Sequence, residues 1–424
     1  GMMGGPRAVH ADGTPSAGRI DVAGYTGWSW AAAHLGIPAW ARKYNVNCSH
    51  CHSPAVPRLN ATGIRFKWAG YRMPDEIGDP VEVQKIQNYI ALRGRMHYDY
   101  AKTEGQPTSN SSFSFTDGTL FYSGPFGRNY GAVFELEREA ENSVELVAHI
   151  MSAWGKETSY GGFRAGQMHW LLREGVGGFD RPTGIRTPIP VNNALTGAIP
   201  FAFSNDQLGV EAYYVRGRNR ISAEVLSGIN AEGKGDEKDP DNKKDFVGID
   251  QFLIDEAGSS IMAVGYYGTL GGADALAPTT TSHFWRLGAS ANKFIQNFEV
   301  LGSIVYGKDT DLPVVPGGTF STPEVKGLGY WFYGGYTFNK PEAEAEKDTS
   351  EAQGANLTLY GRYEYRDPNT EISDNAARRF VIGAVLPVNL PEYIRLALEY
   401  AHDFPQGAAA LKNNAVTAEL MLNF

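Results

Sequence analysis

Ile90-Ala-Leu-Arg-Gly-Arg-Met-His-Tyr-Asp-Tyr100 repeats with a period of two. Ile90, Leu92, Gly94, Met96, Tyr98 and Tyr100 fall on one face of an extended chain. Ala91, Arg93, Arg95, His97 and Asp99 fall on the other, because successive side chains of a strand point to opposite sides. A water-soluble sandwich would press the apolar face into a core. A membrane barrel would turn it to lipid and keep the charges in its lumen. The same division returns in 357–366, where Leu357, Leu359, Tyr363 and Tyr365 oppose Tyr360, Arg362, Glu364 and Arg366. It returns again in 394–400, where Arg395 and Glu399 face away from Ile394, Leu396, Leu398 and Tyr400.

Extending this pattern outward predicts strands near 88–101, 112–122, 129–139, 142–155, 159–172, 206–216, 219–229, 246–256, 259–269, 281–293, 295–307, 326–338, 355–367, 377–388, 392–403 and 414–424. That is an even number of segments, each near the ~9–11 residues a tilted strand needs to cross a bilayer. Connections alternate in length. Stretches 173–205, 230–245, 270–280, 308–325 and 404–413 are long and rich in Gly, Pro, Asp and Asn, whereas those at 217–218, 256–259 and 389–391 are tight. Long outer loops and short periplasmic turns mark an outer-membrane barrel. The short connection near Glu141 and the long acidic one at 339–354 are the two exceptions. The last strand alternates through Val416, Ala418, Leu420 and Leu422 to a terminal Phe424, similar to the C-terminal signal of outer-membrane barrels.

Composition agrees with this reading. The 424 residues carry a net charge of −9, which leaves no basic face for nucleic acid. Mean hydropathy is −0.32 and no apolar run reaches 18 residues, so no membrane-spanning helix is expected. Residues 1–24 have no apolar core of a signal peptide and read as a mature or trimmed start. The expected architecture is therefore all-β. It consists of a 16-stranded antiparallel transmembrane barrel over 88–424, with periplasmic termini, preceded by a small helical segment over 1–87. Helical stretches are expected at 28–47 and 57–71.

That first segment holds both cysteines of the chain, in Cys48-Ser-His-Cys51-His52. In Cys-x-x-Cys-His the two thiols are spaced to add to the vinyl groups of one haem, and the adjacent His becomes the proximal ligand of the iron. Structural zinc would require a second cysteine pair, and a thioredoxin-like dithiol would require a βαβ context. Neither is present. The expected cofactor is one covalent haem c on Cys48, Cys51 and His52, with His50 a filler. Leu59, Gly63, Phe66 and Gly70 recur at helical spacing and would face the porphyrin or form an ordinary apolar stripe. For the distal position Met73 is the first candidate and His97 the alternative. His34 is a weaker choice, and Met96 belongs to the lipid face. Arg93 and Arg95 could meet haem propionates or simply make the lumen polar.

Pro38-Ala-Trp-Ala-Arg42, the Cys motif, Pro57, Leu59-Asn60, Gly63, Phe66-Lys67 and Gly70-Tyr71 together resemble the fused monohaem cytochrome–porins of bacterial outer membranes. The iron oxidases of iron-oxidising bacteria belong to that group. The motif match spans about residues 37–74, and Thr62 and Ile64 stand where the iron-oxidase pattern carries Phe and Arg. The resemblance implies a cytochrome c and a barrel that move electrons across the outer membrane. Fe(II) would be the extracellular donor and a periplasmic cytochrome or other electron carrier the acceptor.

A hydrocarbon band of ~25 Å is too thick for one haem unless the haem lies within it. The 35 residues from Ser53 to Gln87 span up to ~115 Å when extended, so entry of the cytochrome into the lumen as a plug is allowed. The competing readings are electron export to an extracellular acceptor, a channel whose haem plug senses or gates, and a haem enzyme with an open sixth site.

Overall fold

The computed structural model describes residues 38–46, 48–52, 58–81, 83, 85–138, 144–168, 185–190, 207–228, 242–271, 281–311, 323–338, 357–389, 393–406 and 411–423. Segment 90–100 is the body of the first strand, β1 (Ile90–Thr103), and its two faces divide as its period requires. Leu92 and Met96 are each 50% exposed toward the outside, whereas Arg93, Arg95 and His97 are buried inside. The next strands are β2 (Asn110–Phe126), β3 (Tyr130–Arg138), β4 (Val144–Ser152), β5 (Trp154–Lys156), β6 (Ser159–Met168), β7 (Gln207–Arg216), β8 (Asn219–Leu226) and β9 (Asp245–Leu253). They are followed by β10 (Ser260–Gly271), β11 (Thr281–Ile295), β12 (Phe298–Thr310), β13 (Glu324–Thr337), β14 (Thr358–Asp367), β15 (Ala377–Asn389), β16 (Tyr393–Asp403) and β17 (Asn413–Asn423).

β4 and β5 are two parts of one stave interrupted at Ala153, so seventeen segments make sixteen staves. Each stave pairs antiparallel with its neighbours in sequence, and β1 pairs with both β2 and β17, which closes the sheet. Closure leaves no edge to aggregate and satisfies every strand between two others, the requirement for crossing lipid. The outer band is apolar, as the alternation predicted. Leu396 and Leu398 are about half exposed, opposite the fully buried Arg395 and Glu399. A β-bulge between Arg95 and Met96 places two consecutive β2 residues, Thr116 and Asp117, inside.

Tight connections at 127–129, 157–158, 217–218, 254–259, 296–297 and 390–392 lie at one end and most longer ones at the other. The two expected exceptions hold, the long 338–357 joining β13 to β14 at the tight end and the short 139–143 joining β3 to β4 at the opposite one. The predicted terminal aromatic, Phe424, and helical stretch 28–37 lie outside the described residues. Of the expected helices, α1 (Pro38–Tyr44) and α2 (Ala61–Trp68) form, joined by a short turn at Cys48–His50. α2 starts at Asn60, whose side chain accepts a hydrogen bond from Gly63 N, and unwinds at Gly70 and Tyr71, both with positive φ.

These helices sit inside the barrel, at the end with the tight turns. Ala61, Ile64, Phe66, Trp68 and Tyr71 share a core with inward-facing Val133, Met151, Tyr213, Val215 and Leu253 of the wall. Trp68 Nε1 donates to Gln251 at 3.0 Å, and Trp40 Nε1 donates to the Ser123 carbonyl at 3.3 Å. From the opposite side, 185–190 of the long β6–β7 connection also enters the lumen. Ile185 packs beside Trp331 and Tyr360, Arg186 pairs with Glu399 at 3.0 Å, and Ile189 N donates to Glu364 at 2.7 Å.

Candidate haem site

Cys48, Cys51 and His52 line a cavity of about 60 Å³, partly open to solvent, between α1, the Cys turn and α2. The rest of its wall is apolar and aromatic, with Trp40, Tyr44, Val46, Leu59, Phe66 and Tyr71, and Lys67 supplies a cation. Trp40 stacks on Tyr71 at 5.1 Å and tilts against Phe66 at 5.0 Å, so the ring cluster is fixed from both helices.

Local hydrogen bonds explain how the motif is held. Asn60 N donates to Cys51 O at 2.9 Å, and Asn60 Nδ2 donates to the carbonyls of Ser49 (3.3 Å) and His50 (3.0 Å). His52 and Leu59 form an antiparallel bridge. A Cβ on Gly63 would collide with the Cys51 carbonyl, so α2 can approach the motif this closely only through glycine. Leu59, Gly63 and Phe66 thus share the cavity face the spacing suggested, whereas Gly70 does not line it and instead ends α2 against β3.

Several features bear on whether haem fits. His52 Nδ1 lies 3.0 Å from the Arg58 carbonyl oxygen. A hydrogen on Nδ1 donated to that oxygen leaves Nε2 bare, the arrangement of a metal-ligating imidazole. Met73 lines the same cavity as the motif, on the chain that returns after α2. Burial raises the Cys48 thiol to about 11 and the Cys51 thiol to about 12, with the neighbouring Cys48 also raising Cys51. The cavity lining around them is apolar, as a porphyrin face requires. The donor set and the lining fit a haem c. Cys48, Cys51 and His52 would hold it, and Met73 is the candidate for the second ligand that this cavity offers.

His97 does not line this cavity. It lies on the β1 wall with Nε2 2.9 Å from Glu419, which also pairs with Arg395. Arg93 and Arg95 are likewise committed to the wall. Arg93 Nε donates to Asp117 at 2.6 Å, and Arg95 lies 3.3 Å from the same carboxylate. Met96 faces outward, and His34 lies outside the described residues.

Sequence reasoning missed the residues that seat the helices. Arg72 is fully buried and donates to the carbonyls of Arg128 (2.5 Å) and Tyr130 (2.6 Å) in the β2–β3 turn. Tyr71 OH meets His149 Nε2 at 2.6 Å. Arg58 forms a buried ion pair with Glu299 on β12, and Arg65 pairs with Glu256 at 2.6 Å near the surface. These pairs span 56 to 241 positions along the chain, and no local pattern announces them.

No family model matches the chain, and no curated protein sequence matches it. Solved structures do. An anion-selective porin from Comamonas acidovorans aligns with a TM-score of 0.53 and 12% identity, covering 79% of this chain and 98% of the porin. The outer-membrane channel DcaP of Acinetobacter baumannii aligns with a TM-score of 0.52 and 12% identity, covering 79% of this chain and 96% of that one. Likeness at this identity concerns the fold. The chain is a closed 16-stranded β-barrel of porin-like fold, a transmembrane protein of the bacterial outer membrane, with a small helical segment seated in its lumen.

Proposed function

We propose that this protein is an outer-membrane electron conduit that carries one covalent haem c in its lumen and passes electrons between an extracellular donor and a periplasmic carrier. The observation that carries the reading is the meeting of Cys48, Cys51, His52 and Met73 on one apolar cavity inside a closed barrel. Resemblance of residues 37–74 to the monohaem cytochrome–porins makes Fe(II) the donor to test first. Bound at that cavity, the haem would supply one-electron chemistry whose potential follows its axial ligands.

The chain's own part is to hold that group and keep ions out. Trp40, Phe66 and Tyr71 would pack its faces, and Lys67 would balance its propionate charge. Lumenal charges that an aqueous pore would solvate are buried against one another. Arg93, Arg95, Glu137, Glu364, Arg395 and Glu399 are all at most 3% exposed. A lumen so filled favours passage of an electron over passage of a solute, which argues against the reading of a gated channel despite the porin-like fold. Exclusion would also keep Fe(III), the product, outside.

The direct test is an anaerobic Fe(II) titration of the purified protein, followed at the haem absorption bands. Reduction in proportion to added Fe(II) supports iron as donor. Absence of reduction at every pH tried, in protein shown to carry haem, removes iron oxidation and leaves export or another donor.

A further inference from the structure

We infer that Arg58 and Glu299 are a positioning pair through which the barrel wall sets the orientation of His52 and hence the reduction potential of the site. The inference rests on the haem reading above and asks what in this chain would tune the group.

His52 can be aimed by the Arg58 carbonyl only if that peptide is itself held still. Around it the chain is pinned locally, by the His52–Leu59 bridge and by the Asn60 bonds to the Cys turn. Those contacts tie the turn to the start of α2, and further wall contacts attach later in the chain, at Arg65, Trp68, Tyr71 and Arg72. The Arg58 side chain supplies a wall contact at the very residue whose carbonyl meets His52. Its guanidinium pairs with Glu299, on a strand 241 positions away, and the two residues are only 8% and 4% exposed. Glu299 is in turn held by Asn292 Nδ2 at 3.3 Å, on the neighbouring strand. The sequence His52 ring, Arg58 carbonyl, Arg58 guanidinium, Glu299 carboxylate therefore runs without a gap from the imidazole to β12.

Stability is a poor explanation for this pair. Two charges withdrawn from water lose much of their attraction to desolvation, and an apolar pair of equal volume holds as well or better. What an ion pair adds is a defined geometry, which matters when a donor ligand must be oriented. A hydrogen donated from Nδ1 makes the imidazole a stronger base at Nε2 and favours the ferric state, which lowers the potential. Loosening the anchor weakens that bond and raises the potential.

The test uses the full-length, haem-loaded protein in detergent, with redox titration at the haem bands and a ferric absorption spectrum. Glu299→Gln shifts the equilibrium toward Fe(II) by a factor on the order of ten, ~59 mV upward for one electron. A double variant, Arg58→Met with Glu299→Met, keeps the packing without a buried lone charge and is expected to shift the same way. It decides the matter if the single variant fails to fold. Folded variants that retain covalent haem with wild-type potential and spectrum overturn the positioning role while leaving the haem reading intact. Wild-type protein that carries no covalent haem, after production in a host competent for cytochrome c maturation, overturns both.

Discussion

The carbonyl oxygen of Gly70 occupies the space where a Cβ on Gly131 would stand. Gly131 faces the lumen from β3, and Gly70 closes α2 with φ +76°, so two glycines let helix end and barrel wall meet backbone to backbone. Tyr71 follows with φ +63°, an αL conformation that costs a residue with a side chain about 1–3 kcal/mol. Its hydroxyl on His149 and its ring on Trp40 hold it there. Gly131→Ala is expected to push the helical segment off the wall. The cost is about 1–3 kcal/mol of overpacking, with lower haem content but an intact barrel. Thermal unfolding together with haem staining of denatured protein measures both, and wild-type values in both would show that the contact is not needed.

Axial ligation separates two residues that the sequence left open. Met73→Ala is expected to change the ferric spectrum, and Met73→His to lower the midpoint potential, because His stabilises the ferric state relative to Met. His97→Ala should leave the haem bands unchanged and disturb only the Glu419–Arg395 cluster of the wall. A spectral change with His97→Ala and none with Met73→Ala would reverse the assignment.

Arg72 is expected to matter more than its position in a short connecting stretch implies. It is fully buried, and its guanidinium donates to the carbonyls of Arg128 and Tyr130, the first of which also accepts from Gly78 N. Hydrogen bonds from a charged donor contribute about 1.5–3 kcal/mol each. Arg72→Ala should therefore lower stability by about 2–4 kcal/mol in chemical unfolding, whereas Arg128→Ala at the exposed rim should cost far less. Equal effects would count against the seating role.

Lys43 gives a dependence on pH. Burial lowers its ammonium to about 8, with Glu76 opposing and Arg72 reinforcing the shift. Between about 8 and the ordinary 10.5 the unfolded chain keeps a proton that the folded one has lost, so stability rises with pH across that window and is flat below it. Thermal midpoints of wild type minus Lys43→Met should climb from pH 8 to pH 10. A flat difference would mean that Lys43 is better solvated than its position beside Tyr44 and Tyr89 implies.

How far these features could be read beforehand depends on their range. The Arg93/Arg95/His97 face of β1 was legible because a strand's period is local, and all sixteen staves follow from the same rule. The break at Ala153 was not, since it lies on the β6 side, where Phe163 exchanges hydrogen bonds with the Ser152 hydroxyl, while Ala153 N still donates to Asn129 O in register with β3. Cys48, Cys51 and His52 were legible as a fixed spacing. Met73 was legible only as a candidate, because its approach depends on the left-handed turn at Gly70 and Tyr71. The Glu419 partner of His97 lies 322 positions away and comes into reach only when β17 closes on β1. Arg58–Glu299 and Gly70–Gly131 belong to the same class, contacts set by closure and by insertion of the helices.

The most direct trial of the conduit uses proteoliposomes loaded with an oxidised cytochrome c and given a membrane-impermeant reductant outside. The entrapped cytochrome is expected to be reduced when the wild-type protein is present, and not with the Cys48→Ala/Cys51→Ala variant, while a co-entrapped small dye stays inside in both. Dye release with no haem-dependent reduction would contradict it and identify the barrel as an open channel.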